Sequence, residues 1–309
     1  MTPRPTPRWL RRALLALGAL LAWIAWALRI RRGVVLDNLR LAFPERSQAE
    51  RRCIARATYR NLGRMAAEFL LLRSLGREEL DRIFLYEGWE RFEEARALGR
   101  GVIACTAHFG NFEVLAAAHN LRGVPITIIS RRMGRARAND LWRRARAHAG
   151  VEDLVVEKGE TLGAARRALA RGRVLGYVID QNQPLRRAIF PTFFGVPAAT
   201  SPTPAVLAAR TGAAVIFIVA IPLGDGRHRV VIEGPLRPGA TGDRRRDALA
   251  FMQDLNDRLE RRVRAHPEQW YWLHRRWKTR PAGADPARSR RSPGAPSAGD
   301  SLTIRAGPR

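Results

Sequence analysis

From Gly101 onward the chain alternates short apolar runs with amphipathic stretches, and that alternation restricts it to a layered α/β sheet. The spacing predicts strands over Gly101 to Ala107, Pro125 to Ser130, Asp153 to Val156, Val174 to Ile179, Ala214 to Ile221 and Arg229 to Glu233. It predicts helices over Phe112 to Leu121, Arg135 to Ala149, Glu160 to Ala170, Pro204 to Thr211 and Asp243 to Ala265. Upstream, Val34 to Leu72 also has helical periodicity, broken at Pro44, and Ser47 followed by Glu50 has the form of a capping box. No repeat of solenoid period is visible. A single α/β domain over residues 33–281, a layered mixed sheet flanked by helices, accounts for the pattern.

Ahead of that domain, Arg4, Arg8, Arg11 and Arg12 precede an uncharged run from Ala13 to Leu28, and Arg29, Arg31 and Arg32 follow it. Residues 1–32 read as a membrane-anchoring helix. A cleaved signal peptide fits less well, because Ala25-Trp26-Ala27 is followed at once by arginines and a helical pattern. The uncharged run makes a helix of about 24 Å against a hydrocarbon core of about 30 Å. Spanning therefore needs help from snorkelling arginines and Trp9, and both spanning and lying in the interface stay open. The tail over residues 282–309 is rich in Pro, Gly, Ser, Ala and Arg and reads as disordered and basic.

Charge and cysteine content narrow the chemistry. Lys plus Arg number 55 against 28 Asp plus Glu, a net charge of +27, and only Lys158 and Lys278 are lysines. Guanidinium forks pair bidentately with phosphate, so the surface favours polyanions: nucleic acid, anionic membrane or an acidic substrate. A nucleic-acid-binding protein would use the charge but leave the anchor and the loop described next idle. Cys53 and Cys105 are the only cysteines, which excludes a disulfide framework and a four-thiolate metal site and makes a reducing compartment the default. His119, His148, His228 and His266 show no paired ligand spacing, so no metal is expected.

The sharpest signal is Thr106-Ala107-His108-Phe109-Gly110-Asn111-Phe112-Glu113, at the carboxyl end of the first predicted strand. In an open α/β sheet such ends face the ligand crevice, and a helix starting near Asn111 points backbone N–H groups into it. An imidazole there can take a proton from a hydroxyl, and a carboxylate such as Glu113 can hold its tautomer. Asp180, ending the strand Val174 to Ile179, meets the crevice by the same logic. With no serine in a Gly-x-Ser-x-Gly setting, an acyl-enzyme route has little support, and direct attack on a thioester is the expectation.

His108 and Glu113 together form a His-x4-Glu spacing that resembles the glycerolipid and lysophospholipid acyltransferase superfamily. Three separated segments narrow this: Asn38-Leu39-Arg40-Leu41-Ala42-Phe43-Pro44, the His108 to Glu113 block, and Pro267 through Trp270, Trp272, His274-Arg275-Arg276-Trp277 to Pro281. In this order, from about Arg8 to Pro281, the chain resembles the lipid A late acyltransferases, the lauroyl and myristoyl transferases of lipopolysaccharide synthesis. The resemblance implies a glycerolipid acyltransferase-like fold and transfer of an acyl group from acyl carrier protein to a hydroxyl on an anionic, Kdo-bearing glycolipid, without a cofactor. It implies His108 as base and Glu113 as its partner. Arg131 and Arg146 sit where such enzymes hold phosphate or substrate, and Gly110, Asn111 and Asp180 are assigned to the substrate side. Acyl carrier protein, the glycolipid acceptor and membrane lipids are the expected partners, with nucleic acid excluded, at the cytoplasmic face of the inner membrane. Related enzymes acting on another glycolipid, such as a phosphatidylinositol mannoside, are the nearest alternative. The aromatics of Phe190 to Pro202 are expected to line an acyl channel or the core.

Overall fold

The computed structural model describes residues 7–71, 77–131, 144, 146–147, 150–156 and 160–281. Each expected strand is present: β2 (Val102–Thr106), β3 (Ile126–Arg131), β4 (Glu152–Val156), β5 (Val174–Val178), β8 (Ala214–Pro222) and β9 (His228–Leu236). The expected helices appear as α6 (Phe112–Leu121), α7 (Thr161–Ala170), α8 (Thr203–Thr211) and α9 (Arg244–Ala265). Most of the helix expected over Arg135 to Ala149, and the tail over 282–309, lie outside the described residues. Three elements have no counterpart in the periodicity: α4 (Arg77–Ile83), β1 (Phe84–Glu87) and α5 (Trp89–Ala97). At four residues, β1 is too short for alternation to register. A small hairpin, β6 (Thr192–Phe193) with β7 (Val196–Pro197), stands apart from the main sheet.

The main sheet has seven strands in the order β1-β9-β8-β2-β5-β3-β4. β8, β2, β5, β3 and β4 run parallel, while β9 pairs antiparallel with β8 and carries β1 parallel to itself. The sheet is therefore mixed, and β2 lies at its centre. Side chains alternate between two cores. Ile103, Cys105, Phe217 and Val219 face α7, α8, α9 and a C-terminal aromatic block. Val102, Ala104, Ile216 and Ile218 face α5 and α6. Burial on both faces is why β8 reads as an unbroken apolar run.

The N-terminal region folds as α1 (Arg8–Ala27), α2 (Arg32–Ala42) and α3 (Gln48–Leu71). The capping box at the start of α3 forms as read: the Ser47 N–H donates to Glu50 at 2.7 Å and the Glu50 N–H to Ser47 Oγ at 3.2 Å. α1 crosses α3 backbone against backbone. A Cβ on Gly18 would lie 2.3 Å from the Gly63 carbonyl oxygen, and one on Gly63 would lie 2.2 Å from that of Gly18. α2 reaches the C-terminal block through Asn38, whose amide donates to the carbonyls of Trp272 at 2.8 Å and His274 at 2.7 Å.

Candidate active site

The centre of the sheet delivers His108 to the crevice on a loop with little freedom. Gly110 has φ +54, and a Cβ there would sit 1.9 Å from the Ala220 carbonyl oxygen, so only glycine fits this turn. The loop is sewn to the C-terminal block as well. The Gly110 N–H donates to the Gln269 carbonyl at 3.0 Å and the Tyr271 N–H to the His108 carbonyl at 2.9 Å. Asn111 then caps α6, accepting from the Val114 N–H at 3.3 Å, and its amide donates to Glu68 at 2.8 Å. Gly110 and Asn111, expected on the substrate side, are placed here as residues that shape the loop and tie it to the C-terminal block and α3.

The partner of the imidazole is Asp180. Its Oδ1 lies 2.9 Å from His108 Nδ1, its Oδ2 accepts the His108 backbone N–H at 3.0 Å, and Oδ2 also accepts the indole N–H of Trp270 at 2.8 Å. Topology explains the meeting. β5 is the parallel neighbour of β2, with Thr106 in register with Val178, so the next residues of both chains leave the sheet side by side. Asp180 is buried, and burial alone would raise its carboxyl. The charge and hydrogen bond of His108, the Trp270 bond and the charge of Arg276 outweigh that and hold it at about 2. Burial likewise pulls His108 down, but Asp180, helped by the charge of Glu113, leaves it raised above its ordinary value.

With an ionised Asp180 as acceptor, Nδ1 carries the proton and the lone pair is on Nε2. The His108 side chain keeps 24% of its surface exposed, and among the described residues nothing hydrogen-bonds Nε2. Phe112 sets the ring edge-on at 4.9 Å between centroids. This is the geometry of a general base.

Glu113, expected to orient the imidazole, is turned to a different task. Arg146 grips it with two bonds, Nε to Oε2 at 2.9 Å and Nη2 to Oε1 at 2.5 Å, and its remaining nitrogen Nη1 binds Asp153 at 3.0 Å. The structure therefore pairs His108 with Asp180 and Glu113 with Arg146, and Glu113 reaches the ring as charge. Arg146, expected to hold phosphate or substrate, is placed between the Glu113 and Asp153 carboxylates. Arg131 ends β3 on the far side of β5, and its side chain lies outside the described residues.

The C-terminal block, which the sequence marked only through the family resemblance, also reaches the site. Beyond Trp270, the buried Arg276 donates to the Ala199 carbonyl at 2.7 Å and to Thr200 Oγ1 at 2.5 Å, and burial brings it down to about 10. His274 accepts the Asn182 N–H at 2.8 Å, two residues past Asp180, and burial lowers it to about 4, so it stays a neutral acceptor. Only the pairing of Trp270 with a strand-end carboxylate would have marked the block as functional, and that pairing spans 90 residues of sequence.

An apolar pocket opens beside His108, between α6 and the sheet. Thr106, Phe112 and Val178 line its near end, and Phe92, His119 and Val174 its far end. Along β5, Val178 to Val174 covers about 13 Å. Midway, Gly176 pairs with Ala104 on one side and Ile128 on the other, so the floor is notched where a larger side chain would fill it. His119 Nδ1 donates to the Leu115 carbonyl at 2.8 Å, and burial lowers its pKa to about 4, so it stays neutral, while Arg146 brings a charged group to the lining. The Phe190 to Pro202 aromatics, by contrast, pack with the Trp270 block: Phe193 lies 5.3 Å from Trp270 and Phe194 6.2 Å from Trp272 between centroids.

Comparison with known proteins gives a consistent picture. The family described as bacterial lipid A biosynthesis acyltransferase matches residues 6–279. A lipid A biosynthesis lauroyltransferase of Escherichia coli (strain K12) is 29% identical over 259 residues, 81% of this chain and 80% of the relative. A palmitoleoyltransferase of lipid A biosynthesis from the same strain is 27% identical over 260 residues, 83% of this chain and 81% of the relative. A phosphatidylinositol mannoside acyltransferase of Mycobacterium tuberculosis (strain ATCC 25618 / H37Rv) is 28% identical over 225 residues, 71% of this chain and 66% of the relative.

Proposed function

The chain belongs to the bacterial lipid A biosynthesis acyltransferase family and is an acyltransferase, and from that premise we propose that it moves a fatty acyl group from acyl carrier protein to a hydroxyl of an anionic, Kdo-bearing lipid A precursor. The observation that carries the reading is His108, an imidazole with Nδ1 fixed by Asp180 and no partner on Nε2 among the described residues, whose ring touches Phe112 of the apolar pocket. His108 Nε2 takes the proton of the acceptor hydroxyl as its oxygen attacks the thioester carbonyl. The new C–O bond forms, the C–S bond breaks, and the proton passes from the imidazolium to the leaving thiolate. Asp180 stabilises the imidazolium between these steps. The Thr106 hydroxyl, buried in the pocket lining with no partner among the described residues, is a donor available to the carbonyl oxygen.

The relatives and the N-terminal apolar helix point to membrane association. We place the body at the cytoplasmic face of the inner membrane, a placement supported by two cysteines that both stay free. The arginine excess suits an anionic acceptor held among anionic head groups.

The direct test is acyl transfer in detergent micelles, with acyl carrier protein thioester as donor and tetra-acyl Kdo-lipid A precursor as acceptor, read by mass. A gain of one acyl group supports the substrate assignment. No gain, with a phosphatidylinositol mannoside acylated instead, discards the acceptor and keeps the mechanism.

The pocket supplies a second expectation. If the donor chain lies along β5, filling the notch at Gly176 shortens the chain that fits. Gly176→Leu is expected to lower kcat/KM for a twelve-carbon donor by at least about tenfold while sparing a donor several carbons shorter. An unchanged chain-length profile would show that the acyl chain lies elsewhere.

A further inference from the structure

The direction of the N-terminal helix relative to a bilayer follows from how it is tied to the body; the inference rests on reading that helix as the membrane anchor. α1 is held at three levels along its length. Near its start, a Cβ on Gly226 would lie 2.8 Å from Arg11 Nη2, so the Arg11 guanidinium rests on the β8–β9 turn beside Asp225 and Arg227. At its middle is the Gly18–Gly63 crossing with α3. At its end, Trp26 stacks edge-on to Tyr59 of α3 at 5.5 Å. From Arg11 to Trp26 the helix advances about 22 Å, so most of it lies along the protein.

The turn that follows is fixed as well. The Tyr59 hydroxyl donates to the Ile30 carbonyl, and Arg31 donates to the Leu273 carbonyl at 3.1 Å, with Arg29 and Arg31 both at positive φ. α1 cannot rotate away from the body without breaking these ties.

That geometry lays α1 along the body. α3 runs antiparallel to α1 and packs against it from Gly18 to Trp26, and the exposed Arg60, one residue from the Tyr59 contact, is level with the last turns of α1. Standing α1 across a bilayer would draw this face of α3, Arg60 included, below the head groups. The side of α1 away from α3 has the opposite character: Trp9, Leu17, Leu20, Leu21 and Trp23 are all exposed, Trp9 by 70% and Trp23 by 66%. Exposed arginines bracket this strip, Arg12 at one end and Arg29 at the other.

We propose that α1 lies in the plane of the membrane surface, its exposed apolar strip sunk into an anionic bilayer at the head-group boundary and its flanking arginines on lipid phosphates. Both ends of the helix then stay on the side of the bilayer that holds the catalytic body.

Single-cysteine probes on the full chain test this. In a Cys53→Ser background, where the remaining Cys105 is buried, Pro7→Cys or Arg12→Cys reports the start of α1, and Gly33→Cys, at a position with open space around it, reports the far side of the turn. A membrane-impermeant maleimide is applied to spheroplasts and to inverted inner-membrane vesicles from the expressing cells. The expected result is that both positions react in the inverted vesicles and neither reacts in spheroplasts. Reaction of one position in each preparation would mean that the helix spans and would overturn the proposal. Recovery of the protein as a soluble oligomer would assign the strip to a second copy and overturn it equally. Turnover plays no part in the readout, so the acyl-transfer reading stands or falls separately.

Discussion

His108→Ala is expected to lower kcat for acyl transfer by about 10³-fold, within the roughly 10²–10⁴-fold range of general-base catalysis, while leaving a folded protein. The ring touches Phe112 of the pocket, its Nε2 has no partner among the described residues, and the bond of Nδ1 to Asp180 leaves Nε2 as the basic nitrogen. The loop itself is held by backbone bonds that alanine keeps: the His108 N–H to Asp180 and the Tyr271 N–H to the His108 carbonyl. Asp180 also retains its bond from Trp270. Losing the one side-chain bond costs about 1–3 kcal/mol of stability, which thermal melting reads beside the kinetics. Turnover within tenfold of wild type in a folded variant would remove His108 from the chemistry.

Asp180→Asn is expected to cost about 10²-fold or more in kcat, with a pH signature that a merely structural role would not give. The base must be neutral to work, so the wild-type rate falls as pH drops through the raised pKa of His108. Without the carboxylate that raises it, this acidic limb moves to lower pH even as the maximum rate falls. Glu113→Gln, which removes only a more distant charge, is expected to move the limb less. Stability carries a matching sign. The folded Asp180 carboxyl titrates at about 2 against an ordinary 3.8, so its stabilising contribution is present above that ordinary value and is lost as pH falls through about 2. The asparagine variant is expected to lack this part of the acid-unfolding profile. An unmoved kinetic limb would detach Asp180 from the base.

The elements were legible where periodicity is long and one-sided. β2, β5 and β8 are apolar runs between helices whose stripes match them, and each falls within a residue or two of its expected bounds. β1 was not legible, because four residues beside a short helix carry no period. His108 was found from its place after a strand, a local property. Its true partner was not, because spacing favours a neighbour five residues away, whereas strand order decides which carboxylate stands beside the ring. Asp180 and His108 are 72 residues apart in sequence and become neighbours only because β5 inserts next to β2. Glu113 lies on the first turn of α6, close enough to be felt as charge, yet its oxygens point to Arg146. Trp270 received no role of its own for the same reason: an indole reads as apolar until the acceptor of its N–H is known.

The C-terminal block also sets a timetable for the enzyme's own synthesis. The chain leaves the ribosome from its N-terminus, so α1 and the catalytic loop emerge long before Gln269, Trp270 and Tyr271, the residues that lock Gly110, Asp180 and His108 in place. A nascent chain can therefore already be settling on lipid while its base remains unaligned. The loop that carries His108 reaches its final geometry only when the last segment of the body is in place.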